Sequence, residues 1–293
     1  MPGYYLADLR RRFTENFKGC SMPELPEVEV TLRGIKGALD GALIKSIYHS
    51  DKSLRVPMSD DLYKLEGATV TKLERRAKYI LITTTKGSVL IHLGMTGHLS
   101  VLESSVPRKT HDHFEMVTGS DVIVRLNDTR RFGLVLYYDI GDDPFSLSPL
   151  KDLGPEPFSE TFTPDYLYTR LKRCKKSIKQ CLMDNAIVVG VGNIYASEVL
   201  FESRISPLRL GCSIKKKECE LIVANIQKIL SSSIEKGGTT IRDFEGADGK
   251  LGYFVQNLNV YGHDNEPCRI CGTNILSCVQ GQRTTYYCPK CQN

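Results

Sequence analysis

No stretch of this 293-residue chain is apolar for long enough to span a membrane, which sets integral membrane proteins aside. It has no recognisable secretory signal, internal repeat or low-complexity tract. Strong net charge is missing too. Thirty-nine Lys and Arg stand against 34 Asp and Glu, and residues 1–21 alone hold four basic and two acidic side chains, so the remainder carries only +3. That balance is a poor argument for a nucleic-acid partner. Local density is a better one. Between Tyr166 and Met183 lie Arg170, Lys172, Arg173, Lys175, Lys176 and Lys179 without an acid. Leu171, Cys174, Ile178, Cys181 and Leu182 recur among them at helical spacing, which predicts an amphipathic helix with a basic face. Such a face is more often merely solvated than bound to phosphate.

The cysteines are the most specific signal. Cys268-x2-Cys271 is followed after sixteen residues by Cys288-x2-Cys291, and two such pairs can converge on one tetrahedral Zn²⁺. Thr284, Thr285, Tyr286 and Tyr287 between them read as a strand. Four thiolates leave no open coordination position, so this zinc ribbon is structural. Paired disulfides are disfavoured, since Cys20, Cys174, Cys181, Cys212, Cys219 and Cys278 are scattered and imply a reducing compartment with no assigned chemistry.

The chain divides into an extension (1–22), an N-terminal β-sandwich domain led by a helix (23–141), a linker rich in Pro, Gly, Ser and Asp (142–157), a helical domain (158–255) and the ribbon (256–293). The expected class is α+β. Pro26 and the acids of Pro23-Glu24-Leu25-Pro26-Glu27 suit a helix start, with Val28, Leu32, Ile35 and Leu39 at helical spacing behind them. Tyr79–Thr85 and Ser88–Leu93 read as a hairpin around Lys86-Gly87. Phe114–Val117 and Val122–Leu126 read as another around Gly119-Ser120-Asp121. Ile194–Ser203 and Lys216–Lys236 read as helices. His111, Asp112 and His113 suggest a second metal less well than they suggest strand-edge structural residues.

Several blocks then stand in one order: Pro23-Glu24-Leu25-Pro26-Glu27-Val28-Glu29, Arg75-Arg76-Ala77-Lys78-Tyr79, His92-Leu93-Gly94-Met95-Thr96-Gly97-His98-Leu99, Asp128-Thr129-Arg130-Arg131-Phe132-Gly133 and Gly190-Val191-Gly192-Asn193-Ile194-Tyr195-Ala196-Ser197-Glu198, closed by the ribbon. From Pro23 onward the chain closely resembles the formamidopyrimidine-DNA glycosylases, bacterial base-excision enzymes for oxidised purines. The resemblance implies that Pro23, as an N-terminal secondary amine, attacks the sugar carbon of an extruded nucleotide. The resulting iminium is an electron sink that permits β,δ-elimination. It implies that Glu24 protonates the ring oxygen, that Glu27 relays protons or orders the site, and that Lys78, on a β-strand, grips the phosphate at the lesion.

Met95, Arg130 and Phe132 would form the wedge that replaces the flipped base, with His92 and Arg131 beside them on DNA. Asn193, in a helix–two-turns–helix, and Arg283, on the ribbon hairpin, would pin phosphates. Thr239, Thr240, Ile241, Arg242, Asp243 and Phe244 would belong to a loop closing over the lesion.

The same residues out of this order would read as an ordinary helix start, core apolar residues and a surface loop. The amine chemistry requires a mature chain beginning at Pro23, with Met22 the true start. The expected enzyme is a cytoplasmic monomer acting with the nucleoid on double-stranded DNA. Two rivals are an endonuclease VIII-like enzyme for oxidised pyrimidines and a non-catalytic damage-binding protein whose Pro23 stays blocked by residues 1–22.

Overall fold

The computed structural model describes residues 22–239 and 254–293. Residues 1–21 of the expected extension (1–22) and the loop positions Thr240, Ile241, Arg242, Asp243 and Phe244 lie outside them. Helix α1 (Leu25–Leu39) carries Pro26 and Glu27 in its first turn, and Asp40 and Gly41 end it. Its Val28, Leu32, Ile35 and Leu39 enter one hydrophobic core, whereas Leu25 enters another. This first helix is therefore seated in both halves of the molecule.

The first core lies between two four-stranded antiparallel sheets. One runs β1 (Ile44–His49), β6 (Asp112–Thr118), β7 (Val122–Asn127), β5 (His98–Glu103); the other runs β2 (Val70–Arg76), β3 (Tyr79–Thr84), β4 (Gly87–His92), β8 (Leu134–Tyr138). Alternation puts Ile80, Ile82, Val89 and Ile91 from one sheet against Phe114, Met116, Val124 and Leu126 from the other. Both hairpins read from the sequence are present, within a residue or two of their expected ends.

The second core is helical: α2 (Pro164–Leu171), α3 (Ile178–Leu182), α4 (Asn193–Glu202) and α5 (Lys216–Glu235). The single basic helix expected over 166–183 is instead two. The Ser177 hydroxyl accepts the Gln180 N–H while Gln180 Oε1 accepts the Ser177 N–H, a reciprocal cap that starts α3 afresh. Lys179 consequently lies in the interior, 1% exposed, and not on a basic face. In the linker, Leu150 packs with Leu81, Leu90 and Tyr138, and Glu156 binds the first domain.

Beyond α5, β9 (Leu276–Gln280) pairs with β10 (Arg283–Tyr287) around a Gly281–Gln282 turn. The ribbon packs on the helical domain through Phe201. Among the described residues, no helix is long and apolar enough to cross a membrane.

Candidate active site

The start of α1 meets the start of α4. Leu25 N–H donates to the Gly190 carbonyl (3.1 Å), and Gly190 takes a φ of +82° on a path where a Cβ would collide with Leu25. The Glu24 carboxylate sits on the N-terminus of α4, accepting the N–H groups of Gly192 (2.7 Å), Ile194 (2.9 Å) and Tyr195 (3.4 Å). A Cβ on Gly192 would stand 2.3 Å from that carboxyl carbon, so only glycine lets the acid in. Burial raises the Glu24 pKa, Lys78 opposes, Glu27 adds to the rise, and the backbone N–H donors lower it. Burial's lead among these causes favours a carboxyl that holds its proton to higher pH than usual, as a general acid requires.

Glu27 lies one turn along and is 3% exposed. Its Oε2 accepts the Glu24 N–H (2.9 Å). Its Oε1 accepts the Tyr195 hydroxyl (2.7 Å) and both the N–H (2.9 Å) and hydroxyl (2.8 Å) of Thr239. Tyr195 O–H is also 2.6 Å from the Ser233 hydroxyl of α5. Burial pushes the tyrosine pKa well up, keeping it a neutral donor. One carboxylate thus joins α1, α4, α5 and Thr239, the first residue of the expected lesion loop. Tyr195 stood within a recognised block, but nothing in its spacing indicated that its hydroxyl ends on Glu27. Ser233 carried no signal.

Lys78 occupies the β2–β3 turn, not a strand. Ala77 supplies the positive φ (+54°) that reverses the chain. Burial lowers its pKa, nearby Glu24 and Glu27 raise it, and Arg283 lowers it. The turn is clamped by Glu156, which accepts Arg75 (2.7 Å), Arg76 (2.8 Å) and the Ala77 N–H (2.7 Å). Pro23 is buried immediately before Glu24. The structure therefore brings Pro23, Glu24, Glu27, Lys78 and Arg283 together from three separated blocks.

A second charged group adjoins them. Lys179 Nζ donates to Asn193 Oδ1 (2.6 Å), Thr285 Oγ1 (2.7 Å) and the Thr284 carbonyl (3.2 Å). With Oδ1 engaged, the Asn193 amide directs its N–H donors away from Lys179, fixing an orientation suited to an anion at the helix start. Burial pushes the Lys179 pKa down to about 7, Glu24 and Cys278 raise it, and Arg283 lowers it. Three acceptors around one ammonium match its protonated form.

The wedge candidates lie on the loops after β4 and β7. Asp128, fully buried, holds the second loop by accepting Thr96 Oγ1 (2.6 Å), Arg130 N–H (3.3 Å) and Gly133 N–H (2.7 Å). Phe132 is 37% exposed and Arg130 lies 5.1 Å from its ring centroid. Arg131 takes a φ of +56° and reaches the Ser53 carbonyl. Met95 points inward, 9% exposed. His92 accepts the Gly94 N–H at Nδ1 (2.9 Å), and burial, aided by Arg55 and Lys78, drives its pKa down to about 3, so it is neutral. Asp112 receives Lys109 N–H and Asn127, and His113 pairs with Ser50, so both are strand-edge structural groups.

The sulfur atoms of Cys268, Cys271, Cys288 and Cys291 all lie within 4.8 Å of one another, with Cys268–Cys291 at 3.9 Å and Cys271–Cys288 at 3.5 Å. Tetrahedral Zn–S bonds of about 2.3 Å place sulfurs about 3.8 Å apart, so these four residues fit one structural zinc.

Three family models match in succession: the formamidopyrimidine-DNA glycosylase N-terminal domain over residues 22–135, the formamidopyrimidine-DNA glycosylase H2TH domain over 153–245, and the zinc finger found in FPG and IleRS over 265–293. Formamidopyrimidine-DNA glycosylases of Alcanivorax borkumensis and Salmonella arizonae are 47% and 46% identical over 271 residues, covering 92% of this chain and 100% of each relative. The Thermus thermophilus Fpg crystal structure matches with a TM-score of 0.82 at 32% identity, over 92% of this chain and 98% of that one. A Lactococcus lactis Fpg mutant in complex with Fapy-dG-containing DNA matches at 0.84 and 31% identity, over 92% and 100%.

Proposed function

This chain belongs to the formamidopyrimidine-DNA glycosylase family, and on that footing we propose how its own residues divide the work. The family places it as a zinc-containing DNA glycosylase and abasic-site lyase that removes oxidised purines from double-stranded DNA. Pro23, once it is the first residue, is the nucleophile. The N-terminal family model begins at residue 22, and the bacterial relatives align over their whole length, which supports Met22 as the start. The freed secondary amine attacks the sugar C1′, the base departs, and nitrogen's lone pair completes a cationic iminium. Loss of a proton from C2′ then expels the 3′ phosphate, and a second elimination expels the 5′ one.

The observation that carries this reading is Glu24 on the α4 N-terminus. Its raised pKa makes it the proton donor to the ring oxygen, opening the sugar as the amine attacks. Glu27, held by four donors, keeps the site and the start of the lesion loop in register. Lys78, Asn193 and Arg283 hold backbone phosphates; His92, Met95, Arg130, Arg131 and Phe132 fill and brace the opened stack. Thr239 through Phe244 close on the extruded base. The enzyme works as a cytoplasmic monomer at the nucleoid.

Borohydride trapping on an 8-oxoguanine duplex tests the assignment. A chain beginning at Pro23 should be trapped covalently; Pro23→Gly and the chain retaining residues 1–22 should bind without trapping. Trapping of the full-length chain at an equal rate would refute Pro23 as nucleophile. A panel including oxidised pyrimidines separates the endonuclease VIII-like rival, which preferential excision of those bases would favour.

A further inference from the structure

Three of the six cysteines outside the ribbon converge at the turn between α2 and α3. Cys212 is exposed, Cys174 half-buried and Cys181 fully buried, and all three are reduced. Cys212 N–H donates to the Cys174 carbonyl (2.9 Å), and Gly211 N–H donates to the Lys176 carbonyl (2.9 Å). Cys181 Sγ also approaches the Lys176 carbonyl, at 3.7 Å. A Cβ on Gly211 would stand 2.8 Å from Cys181 Sγ and 3.1 Å from Cys174 Cβ, so both cysteine side chains close on a single point. Glycine there leaves them the room to meet. Lys176, largely exposed, is ion-paired with Asp184 (3.2 Å), which leads the rise in its pKa, and lies close enough to both thiols for each to add to that rise. Thiol–disulfide exchange proceeds by attack of one cysteine sulfur on a disulfide within its reach.

We propose that Cys174 and Cys181 are an oxidant-sensitive dithiol, with Cys174 the attacking and Cys181 the resolving sulfur. The burial gradient sets the roles. Cys174 can be reached by a soluble disulfide of the glutathione class; Cys181 cannot, and its burial pushes its pKa up, leaving it a thiol until a neighbouring electrophile forms. The Cys174 thiolate attacks the glutathione disulfide, breaking its S–S bond and releasing one glutathione thiolate. Cys181 then attacks the Cys174 sulfur of the mixed disulfide, and the second glutathione leaves with the proton. Two protein thiols are oxidised and one glutathione disulfide is reduced to two thiols. The bridge would tie the basic turn Lys172–Lys176 to α3, the helix carrying Lys179. A protein that meets oxidised purines works where such oxidants are raised, although the chemistry does not depend on that function.

The test equilibrates the full-length zinc-loaded protein in glutathione redox buffers, blocks remaining thiols with maleimide and maps digested peptides by mass spectrometry. A Cys174–Cys181-linked peptide should accumulate as the buffer becomes oxidising and vanish on reduction. Cys174→Ser should lose it, and Cys181→Ser should instead leave Cys174 as a glutathione adduct. A zinc indicator follows the ribbon in the same samples. The proposal fails if both cysteines stay alkylatable while the ribbon thiols oxidise, if wild-type Cys174 stops at the adduct, or if Cys174 links to Cys212 instead.

Discussion

The zinc ribbon and the candidate active site, where the starts of α1 and α4 meet, are built in opposite ways. The ribbon's four ligands lie between residues 268 and 291, and its core is little more than Phe201, Val260, Cys268, Ile275 and Cys288. With so little apolar surface to bury, its fold depends on the metal. The carboxylates Glu24 and Glu27 instead rest on donors 168 to 212 residues away, held in place by two large cores. A local chelate can be removed without dissolving the rest of the protein, whereas the carboxylate site cannot be separated from the fold.

Chelation of zinc, or Cys268→Ser, should break this contrast most severely. Metal binding contributes on the order of 10 kcal/mol to such modules. Its loss should unfold the ribbon, release Arg283 and remove the Thr284 and Thr285 acceptors of Lys179. Circular dichroism should show the sandwich and helices retained while duplex binding in a gel-shift assay disappears. Joint loss of all structure would mean that the ribbon is no separate unit.

Glu24→Gln comes next. It keeps one of the two acceptor oxygens but not the proton donor, so single-turnover base excision should fall by about 10²- to 10⁴-fold with duplex affinity little changed. Equal losses in both would make Glu24 a structural residue only.

Lys179→Met cuts the tie between the start of α4 and the ribbon. Phosphate affinity should fall about tenfold, the cost of one charge-assisted contact. The pH dependence follows from the sign of the shift. With a pKa near 7 in the fold and about 10.4 when exposed, Lys179 binds more protons unfolded than folded across that window. Its penalty is present in full below pH 7 and lifts as pH rises toward 10. A bound phosphate favours the ammonium, so DNA binding near pH 8 should take up a proton. Calorimetry in buffers of different ionisation enthalpy measures that uptake, and Lys179→Met should abolish it.

The smallest effect is expected for Tyr195→Phe. Glu27 keeps three of its four donors, and the two hydrogen bonds lost, to Glu27 and to Ser233, cost about 1 kcal/mol each. Chemical denaturation should register that shift, and excision should slow only a few-fold.

The sequence by itself determined the ribbon, because a chelate is written in short spacings, and the two hairpins and α1, because alternation and helical periodicity are local. It also carried the family, through blocks whose order survives without any knowledge of their contacts. Only the tertiary structure decided what those blocks do to one another. The basic run over 166–183 became two helices because Ser177 and Gln180 cap each other, and Lys179 turned inward because Asn193, Thr284 and Thr285 offered three acceptors. Lys78 is set on a turn clamped by Glu156, and Cys174 and Cys181 meet at Gly211. A buried polar group takes its charge state and its aim from partners brought by the chain's return, and that return is settled by the packing of two cores.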